Sequence, residues 1–227
     1  MNHLPNLLRC SCVWLVLLSA SFKGSAALSP VSARSDLNAT DRLDWNTVGV
    51  EYTLLPNPFT GQTTPGQIGV TLSAPSGVSF ERVNEGSGWV GNFSPGEPLL
   101  WTFDYSGPVT FRFNQPLQAI GLDLQPATLS PFVATAEAFG SDSSSLGTLA
   151  ISGTASSSSF LGLRSDSGEI SSLVISLTLP DGGYDAFAFN GPAIAAIPEP
   201  GTMSLFTLAI AMAALTRVLP RAGRKSN

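Results

Sequence analysis

Carboxylates are the one kind of chemically versatile side chain that the middle of this sequence supplies in number. Both cysteines, Cys10 and Cys12, and the sole histidine, His3, fall within the first twelve of 227 residues. Both lysines, Lys23 and Lys225, lie near the ends. From Leu28 to Ile197 there is no thiol, imidazole or ammonium group. Disulfides, Cys or His zinc ligation, cysteine nucleophiles, a Ser-His-Asp triad and a Ser-Lys pair are all excluded there. No phosphate-cradling G-x-x-x-x-G-K-[ST] loop is present. A pair of carboxylates flanking a glycosidic bond is the enzymatic chemistry that survives. Glu81, Glu85, Glu97, Asp104, Asp123 and Glu137 are available for it, and nothing in their spacing singles out a pair.

Two other chemistries can be read from residue types. Asp181-Gly182-Gly183-Tyr184-Asp185 is able to bend two carboxylates and loop carbonyls around Ca²⁺, a cation that takes several oxygen ligands. Asp142, Asp166 and Glu169 lie in other loops. The alternative for Asp181 and Asp185 is a tight hairpin turn with solvated acids. Calcium is the only cofactor the sequence suggests. Among the tryptophans, Trp89 sits between Gly86, Gly88 and Gly91, a loop setting in which an exposed indole would offer a flat platform to a sugar ring. Its alternative is packing beneath the loop. Trp101, flanked by Leu100 and Thr102, reads as core, and Trp45 lies at a strand start.

The elements that must position these groups read as strands. Runs of Val, Ile, Thr and Phe alternate with Gly, Pro, Ser, Asn and Asp clusters about every ten residues. Strands are predicted over 46–54, 67–73, 78–82, 99–103, 109–114, 119–125, 132–139, 146–152, 159–163, 170–179 and 186–189. Val109, Phe111 and Phe113 share one face opposite Thr110 and Arg112, and Ile120, Leu122 and Leu124 repeat the pattern. Short strands with one apolar face each require two sheets packed face to face. The predicted fold is an all-β, two-sheet antiparallel β-sandwich, jelly-roll-like, over residues 28–191. An immunoglobulin-like sandwich is the alternative. Residues 192–197 read as a small-residue linker. The cations of the body are Arg34, Arg42, Arg82, Arg112 and Arg164, outnumbered about threefold by carboxylates. Such a surface repels nucleic acid and anionic lipid, so no nucleic-acid partner is expected.

The two ends carry addresses. Residues 1–27 have a weakly basic start, an apolar core from Cys12 to Ala20, and small residues at Gly24-Ser25-Ala26-Ala27, the pattern of a cleavable signal peptide read by the Sec machinery and signal peptidase. At the other end Pro198, Glu199 and Pro200 form a stiff extended tripeptide. An apolar stretch over about 202–219 follows, a single transmembrane helix by composition, close to bilayer thickness. Arg217, Arg221, Arg224 and Lys225 make a basic stop that holds the C-terminus inside and the body outside.

This tripeptide, apolar span and basic end, in that order over 198–227, closely resemble the PEP-CTERM sorting signal of Gram-negative bacteria. The resemblance implies an exosortase-type sorting enzyme as partner, with Pro198, Glu199 and Pro200 as its recognition motif. It also implies a membrane-anchored intermediate and release of the body to the cell surface or extracellular matrix. Trp89-Val90-Gly91-Asn92-Phe93-Ser94-Pro95-Gly96-Glu97, Leu99-Leu100-Trp101-Thr102, Phe113 to Gly121, Phe160 to Leu163 and Ala186 to Asn190 follow an order similar to a β-sandwich body common among PEP-CTERM proteins, across most of 42–190. That second likeness implies fold and setting, not chemistry. The expectation is therefore a non-enzymatic structural or adhesive protein of the exopolysaccharide or biofilm matrix. The alternatives are a carbohydrate-binding module for exopolysaccharide and a carboxylate-dependent glycan-cleaving enzyme.

Overall fold

The computed structural model describes residues 27–197 apart from 104, 106 and 184. The expected signal peptide, sorting tripeptide, apolar span and basic stop lie outside the described residues. Among those described, no helix is long and apolar enough to cross a membrane.

The described chain is all-β. Fourteen strands follow in order: β1 Leu28–Val31, β2 Asp41–Leu43, β3 Thr53–Leu55, β4 Phe59–Thr64, β5 Gly69–Ser73, β6 Phe80–Asn84 and β7 Pro98–Trp101. The long β8, Val109–Pro126, is followed by β9 Phe132–Phe139, β10 Ser145–Gly153, β11 Ser159–Ser165, β12 Ile170–Thr178, β13 Phe187–Asn190 and β14 Ala193–Ala196. Two single 3₁₀ turns, Arg34–Leu37 and Trp45–Val48, complete the set. Every ladder between these strands is antiparallel.

The expected sandwich is present in its broad form, with one difference: the layers are not separate sheets. All fourteen strands belong to one hydrogen-bonded network that β8 holds together. The first half of β8 pairs with β5 on one side and β12 on the other, and β9 and β10 continue that layer. Its second half pairs with β11 on one side and with β14 and then β13 on the other. From β13 the second layer runs on through β7 and β6 to the edge strand β3. The path β5–β4–β2–β14 returns to β8, so that flank closes like a barrel.

The changeover falls where the sequence suggested a break. Two strands, 109–114 and 119–125, were the expectation, and a single eighteen-residue strand is observed. Gln115 and Pro116 take part in none of its ladders, so the missing proline N–H costs no ladder bond. The core between the layers takes Leu43, Trp45, Phe80, Leu100, Phe111, Ile120, Leu122, Phe132, Ile175 and Phe189, all no more than 2% exposed. Trp45 meets Phe59 and Phe189 edge-on, and its indole N–H donates to the Phe189 carbonyl at 3.2 Å.

Two segments depart from expectation. Residues 46–54 were read as one strand. The chain instead turns at Trp45–Val48, where Asp44 accepts from the Asn46 amide at 2.9 Å, and only Thr53–Leu55 is extended. Residues 192–197, read as a linker, hold β14. Ala193, Ile194 and Ala195 are buried, and the strand fills a place between β2 and β8. Small side chains belong there because β14 is packed on both faces: Ile194 enters the main core, while Ala193 and Ala195 pack with Val31, Leu37 and Ala119.

Candidate functional site

The second layer has a feature its sequence announces only indirectly. Antiparallel register aligns Glu81, Trp101, Ala188 and Gln125 across β6, β7, β13 and β8 on its outer face. The same face carries Val83, Leu99, Asn190 and Asp123. The apolar members of this face need a cover, and two segments supply it. The loop 85–97 lays Trp89 and Phe93 on Val83, Leu99 and Ala188. The stretch around the first 3₁₀ turn lays Leu37 on Ala119. Between the two covers remains a polar notch of about 400 Å³ lined by Arg34, Arg42, Phe93, Glu97, Asp123 and Asn190.

Asn190 is the centre of this notch. It is only 3% exposed, and its amide is used at both ends. Its Oδ1 accepts from Arg34 Nη2 at 2.6 Å and from the Asp123 amide at 2.9 Å. Its Nδ2 donates to Asp123 Oδ2 at 2.8 Å and to Glu97 Oε1 at 2.9 Å. Arg34 Nη2 also donates to Asp123 Oδ2 at 2.7 Å, and Arg42 reaches Glu97 Oε1 at 3.4 Å. Two arginines and two carboxylates thus meet with formal charges that cancel.

Local structure places each member. Gly121 and Gly162 are register partners, and a Cβ on either would strike the Phe160 ring at 2.4 Å. The ring therefore lies across both glycines, and the Arg34 guanidinium sits 5.7 Å above its centroid, aimed at Asp123. Gly191 lets β13 approach β2, since a Cβ there would meet the Leu43 carbonyl oxygen at 1.9 Å. Glu97 closes the covering loop and accepts from the Ser94 amide at 3.2 Å. Some groups stay unused. Asp123 Oδ1 has no hydrogen-bond partner among the described residues, and Arg42 keeps about half its side chain in solvent.

The residues singled out from sequence are distributed as follows. Of the six carboxylates, Glu97 and Asp123 converge at Asn190. Glu85 is spent on the covering loop, accepting from the Gly91 and Phe93 amides, and Glu137 accepts from Ser145 Oγ at 2.7 Å. Glu81 stands alone, and Asp104 lies outside the described residues. Trp89 is not an exposed platform. It is 5% exposed, packed edge-on to Trp101 at 5.9 Å, and its indole N–H is buried without a partner. The cause is the apolar outer face, which draws the glycine-rich loop down over itself.

Asp181 accepts from the Gly183 amide within its own turn, whereas Asp185 accepts from the amide and hydroxyl of Thr128. The two acids thus serve different turns. No group of three metal-ligating side chains forms among the described residues. Sequence reasoning missed Arg34, Arg42 and Asn190. The available signal was polar Asp123 within the run 119–124 and polar Asn190 closing Phe187–Asn190, two runs otherwise without polar side chains.

A larger concavity, about 1040 Å³, opens along β4, β5 and the first half of β8, lined by Thr60, Gln62, Thr71, Arg112, Phe113 and Asn114. It brings together a row of threonines and a single charge. The smaller notch is the stronger candidate because four separated segments deliver charged groups to one point.

No protein-family description matches the chain, and no curated protein matches it in sequence. Solved structures similar to it include a DUF4465 family protein from Bacteroides caccae, at 9% identity and TM-score 0.46, covering 67% of this chain and 96% of that one. Another is the CBM22-1 xylan-binding domain of Paenibacillus barcinonensis Xyn10C, at 15% identity and TM-score 0.36, covering 66% and 99%. A third is an arabinose-bound GH51 α-L-arabinofuranosidase, at 13% identity and TM-score 0.37, covering 72% of this chain and 27% of that one. Likenesses this distant say nothing of what this chain binds.

Proposed function

We propose that the chain is an exported protein of the cell surface or extracellular matrix, delivered by an exosortase-type system. Its jelly-roll-like body would then be a non-enzymatic adhesive module that holds neutral polysaccharide. The observation that carries the binding reading is the notch around Asn190. Planar amide, carboxylate and guanidinium groups converge there with no net formal charge, and Asp123 Oδ1 and the outer Arg42 donors stay available. Sugar hydroxyls both donate and accept, so they match such a mixed set, and contacts bridged by water need not be weak. Export rests on the two terminal addresses.

Affinity electrophoresis through gels containing hydroxyethylcellulose, galactomannan or dextran tests the binding reading. Retardation in at least one gel is expected, reduced about tenfold in affinity by Glu97→Gln or Arg42→Gln, since a hydrogen bond to a charged group contributes about 1.5–3 kcal/mol. Unretarded migration in all gels would contradict it. The meeting of Glu97 and Asp123 at one amide favours glycan cleavage as a second reading. Release of reducing ends by the wild type and not by Glu97→Gln would put that reading first.

A further inference from the structure

The outer face of the second layer does not end at the covering loop. Beyond it, toward the edge strand β3, the row runs Trp101, Glu81, Leu54. Leu54 is 62% exposed and Trp101 is partly exposed. Phe103, two residues further along, is 42% exposed and meets Trp101 at a tilt of 58°, with ring centroids 4.9 Å apart. Tyr52 borders the same area, its ring close against Gly88. The acid Glu81 thus lies between the Trp101–Phe103 aromatic pair and Leu54. Glu81 is 9% exposed and has no hydrogen-bond or ion-pair partner among the described residues. Every other carboxylate named above for the body is tied to an amide, a hydroxyl or an arginine wherever it is described, apart from Asp166 and Glu169 on solvent-facing loops. The Glu81 side chain lies down on the sheet while its carboxylate oxygens keep contact with solvent, so they are open to hydroxyl donors.

We infer that Glu81, Trp101 and Phe103 form a second binding site, for the pyranose ring of a neutral glycan. Aromatic faces take the C–H face of a sugar ring, and the Glu81 carboxylate accepts from one or two of its hydroxyls, ending its isolation. A neutral ligand is indicated because the chain carries a net charge of −5 and the site adds an acid that forms no ion pair among the described residues. Glycans rich in uronic acid are repelled by the same charge. The site stands on residues separate from the notch: Glu81, Trp101 and Phe103 touch none of Arg34, Arg42, Glu97, Asp123 or Asn190 by hydrogen bond or ring contact.

The test is tryptophan emission of the body titrated with soluble hydroxyethylcellulose, galactomannan and dextran, with alginate as the anionic comparison. Saturable change is expected with at least one neutral polymer and none with alginate. Glu81→Gln, which keeps shape and removes charge, should weaken the response about tenfold, and Phe103→Ala several-fold. Far-ultraviolet circular dichroism confirms that each variant is folded. Wild-type titration curves in both Glu81→Gln and Phe103→Ala would overturn the second site and leave the notch reading standing. So would concentration-dependent dimerisation in sedimentation, abolished by Phe103→Ala, because the patch would then be a contact between two copies. A response lost only in Glu97→Gln would assign all binding to the notch.

Discussion

At the scale of single residues, burial decides what each polar group can do. Trp89 looks in sequence like a loop tryptophan open to solvent. It is core because Val83, Leu99 and Ala188 present a second apolar face that has to be covered. That face was legible in principle: Leu99-Leu100-Trp101 and Ala186-Phe187-Ala188-Phe189 are apolar without alternation, the mark of strands covered on both sides. Convergence of Glu97 and Asp123 was not legible, because their meeting is made by chain segments far apart in sequence.

Glu81 gives the sharpest residue-scale prediction. Burial raises its pKa above the usual value of 4.5. The folded state therefore binds its proton more tightly than the unfolded state, and between the two pKa values stability falls as pH rises. Glu81→Gln should melt at the same temperature as wild type or higher at pH 7, with the gap closing below about pH 4 as the wild-type acid protonates. A variant that melts well below wild type at pH 7 and matches it at pH 4 would mean that the ionised carboxylate is stabilised by a partner. Glu51 behaves oppositely. Its pKa is lowered, chiefly by the Ser87 hydroxyl, so its contribution is present at neutral pH and lost as pH falls.

At the scale of elements, the alternating segments were legible and the irregular ones were not. Phe132–Phe139 is a strand over the predicted span, and the strands expected at 146–152, 159–163 and 170–179 differ from those observed by two residues or fewer at each end. Strands β1, β2, β4 and β14 escaped notice for physical reasons. β2 has three residues, β4 is mostly Thr, Gly and Gln, and β14 is three alanines around one isoleucine. Short or small-residue strands carry little period of their own and are held by their neighbours. β14 is where the difference matters, since a linker and a buried strand respond differently to mutation. Ile194 is fully buried between the layers. Ile194→Ala should cost about 2–4 kcal/mol in urea unfolding. An effect below about 0.5 kcal/mol, the range of exposed positions, would restore the linker reading.

At the scale of the whole molecule, both described ends of the body are woven into its sheet. β1 is paired with β11 directly after residue 27, and β14 stays paired through Ala196, two residues before Pro198. Removal of the leader and of the sorting tail would thus cut at the margins of the fold and leave every described strand in place. Residues 1–27 and 198–227 would then be disposable handles and 28–197 the working protein, acidic and free of thiols. Mass spectrometry of the intact protein recovered from the cell surface or surrounding matrix tests this most directly. The account predicts a chain beginning at Ala27 or Leu28, ending at or near Pro198–Pro200, and lacking the apolar span and basic stop. Recovery of the full 227-residue chain from the cytosol, with both ends intact, would contradict it.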